Sequence, residues 1–312
     1  MADQIRLSEP VTKPGIGRAT GMARMARMAA DYVTLTKPPI ISLLLVTAIG
    51  GMFLAAEGVP SLTTLLLVCI GGTLGAAGAN AINHFLDQDI DALMSRTSQR
   101  PVAAHRISPA KALTFGIALN VGAFLVLVSG VNLLAAVLTL SATLFYVLVY
   151  TGWLKRTTPQ NIVIGGAAGA IPPVVGWAAV TGGLDLPALY LFTIIFFWTP
   201  PHFWALSLLI QKDYERAGVP MLPVVVGTER TVQSIFGYSL VLVALTLVFG
   251  ATSAVGFVYL GMAAVLGAVF VGMAWQLRRE QTSRKALHLY LYSLLYLALL
   301  FVTMMVDSLV GV

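Results

Sequence analysis

Charged residues are scarce in this sequence. Asp, Glu, Lys and Arg make up 10% of its 312 residues, whereas hydrophobic residues make up 58%. Soluble domains carry about 25% charged and about 45–50% apolar residues, so this chain lacks the polar side chains that would cover a water-facing surface. The composition excludes a soluble enzyme, a nucleic-acid-binding module and a disordered protein, and it predicts a membrane protein that has no nucleic-acid partner.

Cysteine is nearly absent as well. The single residue, Cys69, cannot form an internal disulfide, and it lies in an apolar run. We therefore interpret Cys69 as a packing residue. The first long apolar run starts only near Ile40, so the sequence predicts no secretory signal peptide.

Long apolar runs are what the sequence has in abundance. A bilayer core about 30 Å thick requires about 20 mostly apolar residues in a helix. Nine stretches meet this length without Lys, Arg, Asp or Glu in their interiors: 39–57, 62–85, 111–130, 133–152, 161–181, 187–209, 232–251, 255–277 and 286–307. Because only helices and closed barrels satisfy the backbone in lipid, we predict an all-α integral membrane protein with nine transmembrane helices.

The basic residues fall on one side of the predicted membrane. Alternating spans place 1–38, 86–110, 153–160, 210–231 and 278–285 together, and with Lys111 these segments hold all 19 Lys and Arg residues. The positive-inside rule assigns that side to the cytoplasm or to the mitochondrial matrix. We expect a multi-pass protein of the bacterial inner membrane with a cytoplasmic amino terminus; the mitochondrial inner membrane is the less favoured alternative.

The predicted organisation has three parts. Residues 1–38 form a cytoplasmic amino-terminal segment, residues 39–307 the membrane domain, and residues 308–312 a short tail. The first segment carries Arg18, Arg24 and Arg27 among small residues and methionines. It is typical of a basic amphipathic segment on a membrane surface.

Three oxygen-bearing side chains repeat every four residues where the second span ends. Asn83, Asp87 and Asp91 share one face if the helix continues, since four residues turn by about 400°, whereas Asp89 points away. Mg²⁺ takes oxygen ligands and binds through one or two carboxylates plus substrate phosphates. Arg96 and Arg100 follow closely, and arginine binds phosphate oxygens in a bidentate way. The pattern predicts a magnesium and diphosphate site; the alternative is a solvated loop that sets topology.

Two further basic segments face the same side. In the loop 210–231, Lys212 and Asp213 are the chemical candidates, and we expect Pro220 and Pro223 to prevent helix formation. Lys155 and Arg156 follow the fourth span, where they either bind a diphosphate or anchor the helix. Neither segment is informative alone.

Histidines inside the spans are functional candidates, because ionisable residues are rare in a bilayer. His202 follows Pro200 and Pro201 in the sixth span. Its candidate roles are ligation of a haem iron, acceptance of a proton and a hydrogen bond to a neighbouring helix. His84 stands three residues before Asp87, on nearly the same face, so it is a second candidate for the cavity.

Four strings carry a specific resemblance to a known family. They are NHFLDQDIDALMSRTSQRP, LKRTTPQNIVIGGAAGAIPPVVGW, TPPHFWALSL and DYERAGVPMLPVV. With the nine spans, the first string resembles the UbiA superfamily of intramembrane prenyltransferases. The other three resemble its haem-farnesylating branch, and the likeness extends over about residues 31 to 307.

The resemblance implies a helical fold around a central cavity, a Mg²⁺ cofactor and a reaction. Farnesyl diphosphate would alkylate a vinyl group of haem b, water would supply a hydroxyl, and diphosphate would leave. The product would supply terminal oxidases. Haem A synthase and oxidase assembly factors are therefore expected partners, in addition to the lipid bilayer.

The resemblance also implies roles for individual residues. Asn83, Asp87 and Asp91 match the first metal-diphosphate motif, and Asp213 begins the second. The basic partners are Arg96, Arg100, Lys155 and Arg156. Lys212 is a further candidate beside Asp213 in the second loop. His202 and His84 are the candidates for contact with haem. The second motif is commonly DxxxD, but Ala217 stands at its last position.

Two alternatives remain open. Another UbiA-type enzyme would prenylate the aromatic ring of a quinone precursor. A secondary transporter would also contain broken helices, but it usually carries ionisable groups at mid-membrane, where this sequence has only His202.

Overall fold

The computed structural model describes residues 21–310, and every element in this range is a helix. The elements are α1 (Gly21–Thr36), α2 (Pro38–Ala55), α3 (Leu62–Leu86), α4 (Gln88–Leu93), α5 (Pro109–Gly130), α6 (Leu133–Leu144), a π-helix (Phe145–Leu154), α7 (Lys155–Thr157), α8 (Asn161–Thr181), α9 (Leu186–Leu209), α10 (Gln211–Arg216), α11 (Leu222–Gly250), α12 (Phe257–Glu280) and α13 (Ser283–Val310). Arg18 and most of the predicted amino-terminal segment lie outside the described residues.

The prediction of nine transmembrane helices is confirmed within this range. Nine helices are long and apolar enough to cross a membrane. Three of them are at least five residues longer than the sequence predicted. The fourth continues through the π-helix to Thr157, the seventh begins at Leu222, and the ninth extends over Ser283–Val310.

The expectation that Pro220 and Pro223 prevent helix formation is wrong for most of the second long loop. Helix α10 occupies its first part, and α11 begins at Leu222 with Pro223 in its first turn. A proline is tolerated there because the N–H that it lacks has no partner at a helix start. Pro220 lies in the short non-helical segment between α10 and α11. A further interruption occurs at Gly227, whose φ is 79°, inside α11.

The nine spanning helices form a closed ring. Each packs against the next along the chain, and α13 packs against α2. Across the ring α2 also packs against α8, and α9 against α13. Helices α2 and α8 approach very closely, because a Cβ on Gly51 would overlap the carbonyl oxygen of Pro173 and one on Gly176 that of Ala48. Small residues permit such contacts between membrane helices.

Helix α1 precedes the ring and lies against α3, α5 and the segment that precedes α5. Leu35 is fully buried among Ala81, Val102, Ile107 and Ala112. The ring of Tyr32 packs edge-on against Phe115 at 4.9 Å between centroids, and Asp31 pairs with Arg106 at 2.9 Å. These contacts fix the end of α1, which leads into the first spanning helix.

Candidate active site

The predicted oxygen-bearing face is present where α3 ends. The N–H of Asp87 donates to the carbonyl of Asn83 at 2.9 Å, and that of Asp91 to the carbonyl of Asp87 at 2.7 Å. The four-residue spacing therefore continues from α3 into α4. The three residues, which we call the carboxylate face, are buried, whereas the side chain of Asp89 is 60% exposed.

Each carboxylate of this region is paired with a cation. The Nζ of Lys155 lies 2.6 Å from Oδ2 of Asp87, and Arg100 donates to both oxygens of Asp91 at 2.8 and 2.9 Å. Both bonds come from Nη1 of Arg100. Hydrogen bonds between two ionised groups are stronger than bonds between neutral groups. The site is therefore internally neutralised before any ligand enters.

Arg156 pairs with the exposed carboxylate. It donates to both oxygens of Asp89, at 2.7 and 2.8 Å, and to the carbonyl of Leu86. These hydrogen bonds lower the pKa of Asp89 to about 2, because they stabilise its charged form. Arg156 also lies 3.9 Å from Oδ1 of Asp87, so it stands beside the carboxylate face.

Asn83 links the face to two other elements. Its Nδ2 donates to Oδ2 of Asp87 at 2.8 Å and to the hydroxyl of Thr151 at 3.1 Å. Its Oδ1 accepts from Nζ of Lys37 at 2.8 Å. Burial and the nearby Arg100 lower the pKa of Lys37 to about 7. Lys37 is not among the site residues predicted from the sequence. Its only signal in the sequence is its place directly before Pro38 at a membrane edge.

The π-helix delivers Thr151 and is followed directly by Lys155. Phe145–Leu154 changes the helical hydrogen bonding from i→i+4 to i→i+5, a feature that is rare and frequent at functional sites. It also carries Tyr146 and Tyr150, whose rings stack at 5.6 Å. No sequence pattern predicted this change of winding.

The loop 210–231 contacts the loop 86–110 through Asp213. The hydroxyl of Ser95 donates to Oδ2 of Asp213 at 2.5 Å, and Arg216 lies 3.5 Å from Oδ1. The bond from Ser95 lowers the pKa of Asp213. Asp213 is buried, but its contacts hold the two loops together and do not join it to the carboxylate face.

The sequence of the chain was compared with known proteins. The pattern of the UbiA prenyltransferase family matches residues 44–303. The chain belongs to the UbiA prenyltransferase family. The resemblance recognised in its motifs is thereby confirmed.

Similar curated proteins carry one common name. The chain is 52% identical over 300 residues to "Protoheme IX farnesyltransferase" of Roseiflexus sp. (strain RS-1), covering 96% of this chain and 56% of that protein. It is also 52% identical to the protein of the same name from Gloeobacter violaceus, covering 91% and 94%. The chain thus spans about half the length of the first relative and nearly all of the second.

Solved structures share the fold at low sequence identity. A structure of digeranylgeranylglyceryl phosphate synthase has a TM-score of 0.74 at 18% identity, covering 90% of this chain and 98% of that one. A UbiA homolog from Archaeoglobus fulgidus bound to GPP and Mg²⁺ has a TM-score of 0.65 at 19% identity, covering 88% and 99%. The UbiA fold is therefore established for this chain.

The two candidate histidines lie in different surroundings. His84 is buried beside the carboxylate face, and neither ring nitrogen has a hydrogen-bond partner among the described residues. His202 stacks between Trp198 at 4.3 Å and Tyr290 at 5.0 Å, and its Nδ1 lies 2.7 Å from the hydroxyl of Ser293. The helix-packing hydrogen bond considered for His202 is thus present at one nitrogen.

Most of the predicted site residues are brought together, but Arg96, Lys212, Asp213 and His202 form no hydrogen bond or ion pair with the carboxylate face among the described residues. Arg96 and Lys212 are exposed, and neither forms an ion pair with a described carboxylate. The residues that converge are Asn83, Asp87, Asp91, Arg100, Lys155 and Arg156. This group combines acceptor oxygens with a concentration of positive charge, which suits a metal-bound anionic ligand.

Proposed function

We propose that the chain is a protohaem IX farnesyltransferase. It transfers the farnesyl group of farnesyl diphosphate to a vinyl group of haem b, with addition of water, to give haem O and diphosphate. The observation that carries this proposal is the 52% identity to a protein of that name over 94% of the relative's length. The paired charges around the carboxylate face support it, because they suit the diphosphate of the donor.

The proposed reaction is an alkylation of the vinyl group followed by addition of water. The bond between farnesyl C1 and oxygen breaks, and diphosphate leaves with the electron pair. The terminal vinyl carbon forms a bond to C1, which leaves a cation on the vinyl carbon next to the porphyrin. Water adds there and releases one proton to diphosphate or solvent. The step needs no side-chain nucleophile and no change of oxidation state.

Mg²⁺ fits the residues present, although none of the carboxylates is free. Among the described residues no group of three or more His, Cys, Asp or Glu is arranged as a metal site. Oδ1 of Asp87 is buried without a hydrogen-bond partner in this part of the chain, and the oxygens of Asn83 and Asp91 lie on the same face. These three residues would hold the ion. Bound Mg²⁺ would neutralise part of the charge of the leaving diphosphate.

The cations have the complementary role. Lys155 and Arg100 each contact a carboxylate that Mg²⁺ would take over, so both become available to phosphate oxygens. Arg156 stands beside them at the cytoplasmic mouth. Charge neutralisation makes diphosphate a better leaving group. The apolar helices exclude bulk water, which would otherwise quench the allylic cation.

Haem is a substrate in this proposal, and His202 is its candidate ligand. Imidazole is a common proximal ligand of haem iron. The contact of Nδ1 with Ser293 fixes the ring and leaves Nε2 for the iron. His84 is a second candidate near the carboxylate face. Its surroundings support a polar contact with a ligand, because its two nitrogens lack partners among the described residues.

The proposed setting is the bacterial inner membrane, with the carboxylate face on the cytoplasmic side. The span order assigns all 19 Lys and Arg residues to one side of the membrane, which supports this orientation. Because haem O precedes haem A, haem A synthase and oxidase assembly factors are the proposed partners.

The test is the identity of the haem that the chain produces. We expect haem extracted from cells that express the chain to gain the mass of one farnesyl group and one hydroxyl group by mass spectrometry. A matched Asp87→Asn strain should contain haem b alone. Unmodified haem b in the wild-type strain, together with a prenylated aromatic acid, would favour the quinone-precursor reaction and contradict the proposal.

A further inference from the structure

We propose that Lys37 is a diphosphate-binding residue of this active site and that helix α1 holds it in place. The inference rests on the proposed function, because it assigns a contact to the donor of that reaction. Lys37 belongs to neither of the two carboxylate motifs, and it precedes the first spanning helix.

The position of the ammonium group is the first argument. Nζ of Lys37 lies 2.8 Å from Oδ1 of Asn83, whose Nδ2 donates to Asp87. Lys155 donates to the same Oδ2 of Asp87 at 2.6 Å. Asn83 therefore links Lys37 to Asp87. Lys37 contacts the oxygen of the Asn83 amide, whereas Asp87 and Thr151 of the π-helix contact its nitrogen.

The balance of charges is the second argument. Lys155, Arg100 and Arg156 each have a carboxylate within 2.6–2.8 Å. Lys37, by contrast, has only the neutral amide of Asn83 within hydrogen-bonding distance among the described residues. Lys37 is partly buried, and a partly buried ammonium without a counter-ion at hydrogen-bonding distance is unfavourable. An anionic ligand that enters the site supplies the missing charge.

The backbone is the third argument. Lys37 has φ 54° and ψ 63°, the left-handed region that side chains other than glycine rarely adopt. Pro38 follows and disfavours the right-handed helical region for Lys37. The chain therefore turns sharply between α1 and α2. Strained residues are maintained at functional sites by the surrounding structure.

Specific contacts maintain this turn. The side-chain amide of Asn80 donates to the carbonyl of Thr36 at 2.9 Å, and the N–H of Lys37 donates to Thr34. One residue earlier, Leu35 is fully buried. Helix α1 thus packs on α3 within two residues of Lys37. This packing holds the side chain of Lys37 in contact with Asn83.

Diphosphate and the propionate groups of haem are the two anionic sources in the proposed reaction. Diphosphate is the better match, because it must approach the metal held by Asn83 and Asp87. Replacing the contact of Lys37 with Asn83 by one with a metal-bound phosphate keeps the ammonium close to its present place. Lysine acts there as a point charge.

The experiment measures the binding of two ligands to the purified full chain. Inorganic pyrophosphate with Mg²⁺ is titrated by calorimetry, and haem is titrated by absorbance. We expect Lys37→Met to weaken pyrophosphate binding by about 10- to 100-fold, the size of a hydrogen bond to a charged group, and to leave haem affinity unchanged. Lys37→Arg should recover part of the loss.

The matched control is Arg27→Gln, which removes the same charge from the exposed face of α1 and should change neither affinity. If Lys37→Met does not fold, Lys37→Gln keeps a hydrogen-bond donor to Asn83 and removes the charge, so its pyrophosphate affinity decides the question. Wild-type pyrophosphate affinity in a folded variant would overturn the inference. So would a loss confined to haem, which would assign Lys37 to a propionate.

The failure of the proposed function has a different signature. A wild-type chain that binds pyrophosphate through Lys37 but converts no haem b would contradict the farnesyl transfer and leave the diphosphate contact standing. A chain that makes haem O while Lys37→Met binds pyrophosphate normally would contradict the contact alone.

Discussion

Lys155 contacts Asp87 across 68 residues of sequence, with 2.6 Å between Nζ and Oδ2, and both side chains are buried. The pair joins the end of the second spanning helix to the end of the fourth. A buried ion pair contributes little net stability, but the removal of one partner leaves an uncompensated charge. Substitutions here must therefore be chosen so that loss of function is distinguished from loss of folding.

The first prediction concerns the carboxylate face. Asp87→Asn and Asp91→Asn keep the shape of the side chain and remove a proposed metal ligand, so we expect turnover to fall by about 100-fold or more. Asp89→Asn removes an exposed ion pair, worth at most about 1 kcal/mol, and should have a much smaller effect. Farnesyl transfer to haem, measured with radioactive donor, checks all three variants.

Folding is controlled with the double variant Asp87→Asn/Lys155→Met, which removes both charges. Recovered thermal stability in the double variant would show that the unpaired charge destabilises Asp87→Asn. Wild-type thermal stability in Asp87→Asn itself would show that its loss of turnover is catalytic. Equal losses at Asp87, Asp89 and Asp91 would contradict the role of a single face.

This face is the part of the site that the sequence predicts best. Asn83, Asp87 and Asp91 are close in the chain, and helical geometry alone places them together. Lys37 is 46 residues away from its partner Asn83, and Ser95 is 118 residues away from Asp213. Such contacts depend on how helices pack, which local patterns do not encode.

The fold shows the same division between local and long-range information. Span length and apolar composition predict the nine helices, because the thickness of the bilayer sets them. The π-helix at Phe145–Leu154 and the kink at Gly227 are changes of winding that span length and composition do not predict. The prolines of the second loop misled the prediction, since Pro223 is harmful inside a helix but not in its first turn.

The second prediction concerns the bond between Ser95 and Asp213. It joins the loops 86–110 and 210–231, and we expect Ser95→Ala and Asp213→Asn to loosen the loop that carries Arg100. Because the two residues are in contact, a double-mutant cycle should give a coupling of about 0.5–3 kcal/mol in thermal or denaturant stability. Activity should fall in each single variant and no further in the double variant.

The Mg²⁺ dependence of activity separates this role from metal ligation. A loop contact changes turnover without changing the Mg²⁺ concentration needed for half-maximal activity. A large increase of that concentration in Asp213→Asn, absent from Ser95→Ala, would show that Asp213 is a metal ligand.

The third prediction concerns topology. In a chain whose Cys69 is replaced by Ala, cysteines at Gln99 and Glu215 should react with an impermeant maleimide only from the cytoplasmic side. A cysteine at Leu184, between α8 and α9, should react only from the other side, because the spans alternate. All three positions are exposed. Labelling of Gln99 and Glu215 from opposite sides would contradict the nine-span order.

The fourth prediction concerns Asp307, which lies near the carboxyl end of α13. Its carboxylate accepts hydrogen bonds from the N–H groups of Gly256 and Tyr259, so it caps the first turn of α12. A carboxylate also interacts favourably with the positive end of a helix. We expect Asp307→Asn to lower stability by about 1–3 kcal/mol, measured by thermal unfolding in detergent. Specific activity of the folded protein should stay unchanged, and a selective loss of donor binding would contradict a purely structural role.

The last prediction concerns His202 as a ligand of the haem substrate. Its ring is held by Trp198, Tyr290 and Ser293, an arrangement that fixes one nitrogen and orients the other. We expect His202→Ala to weaken haem binding and shift the haem absorbance spectrum, while Mg²⁺-dependent binding of farnesyl diphosphate stays nearly intact. Ser293→Ala is the matched control, because it frees Nδ1 but keeps the imidazole, so haem should still bind with a ligated spectrum. An unchanged spectrum and affinity in His202→Ala would instead leave the stack and the bond to Ser293 as the whole role of His202, a contact that packs α9 against α13.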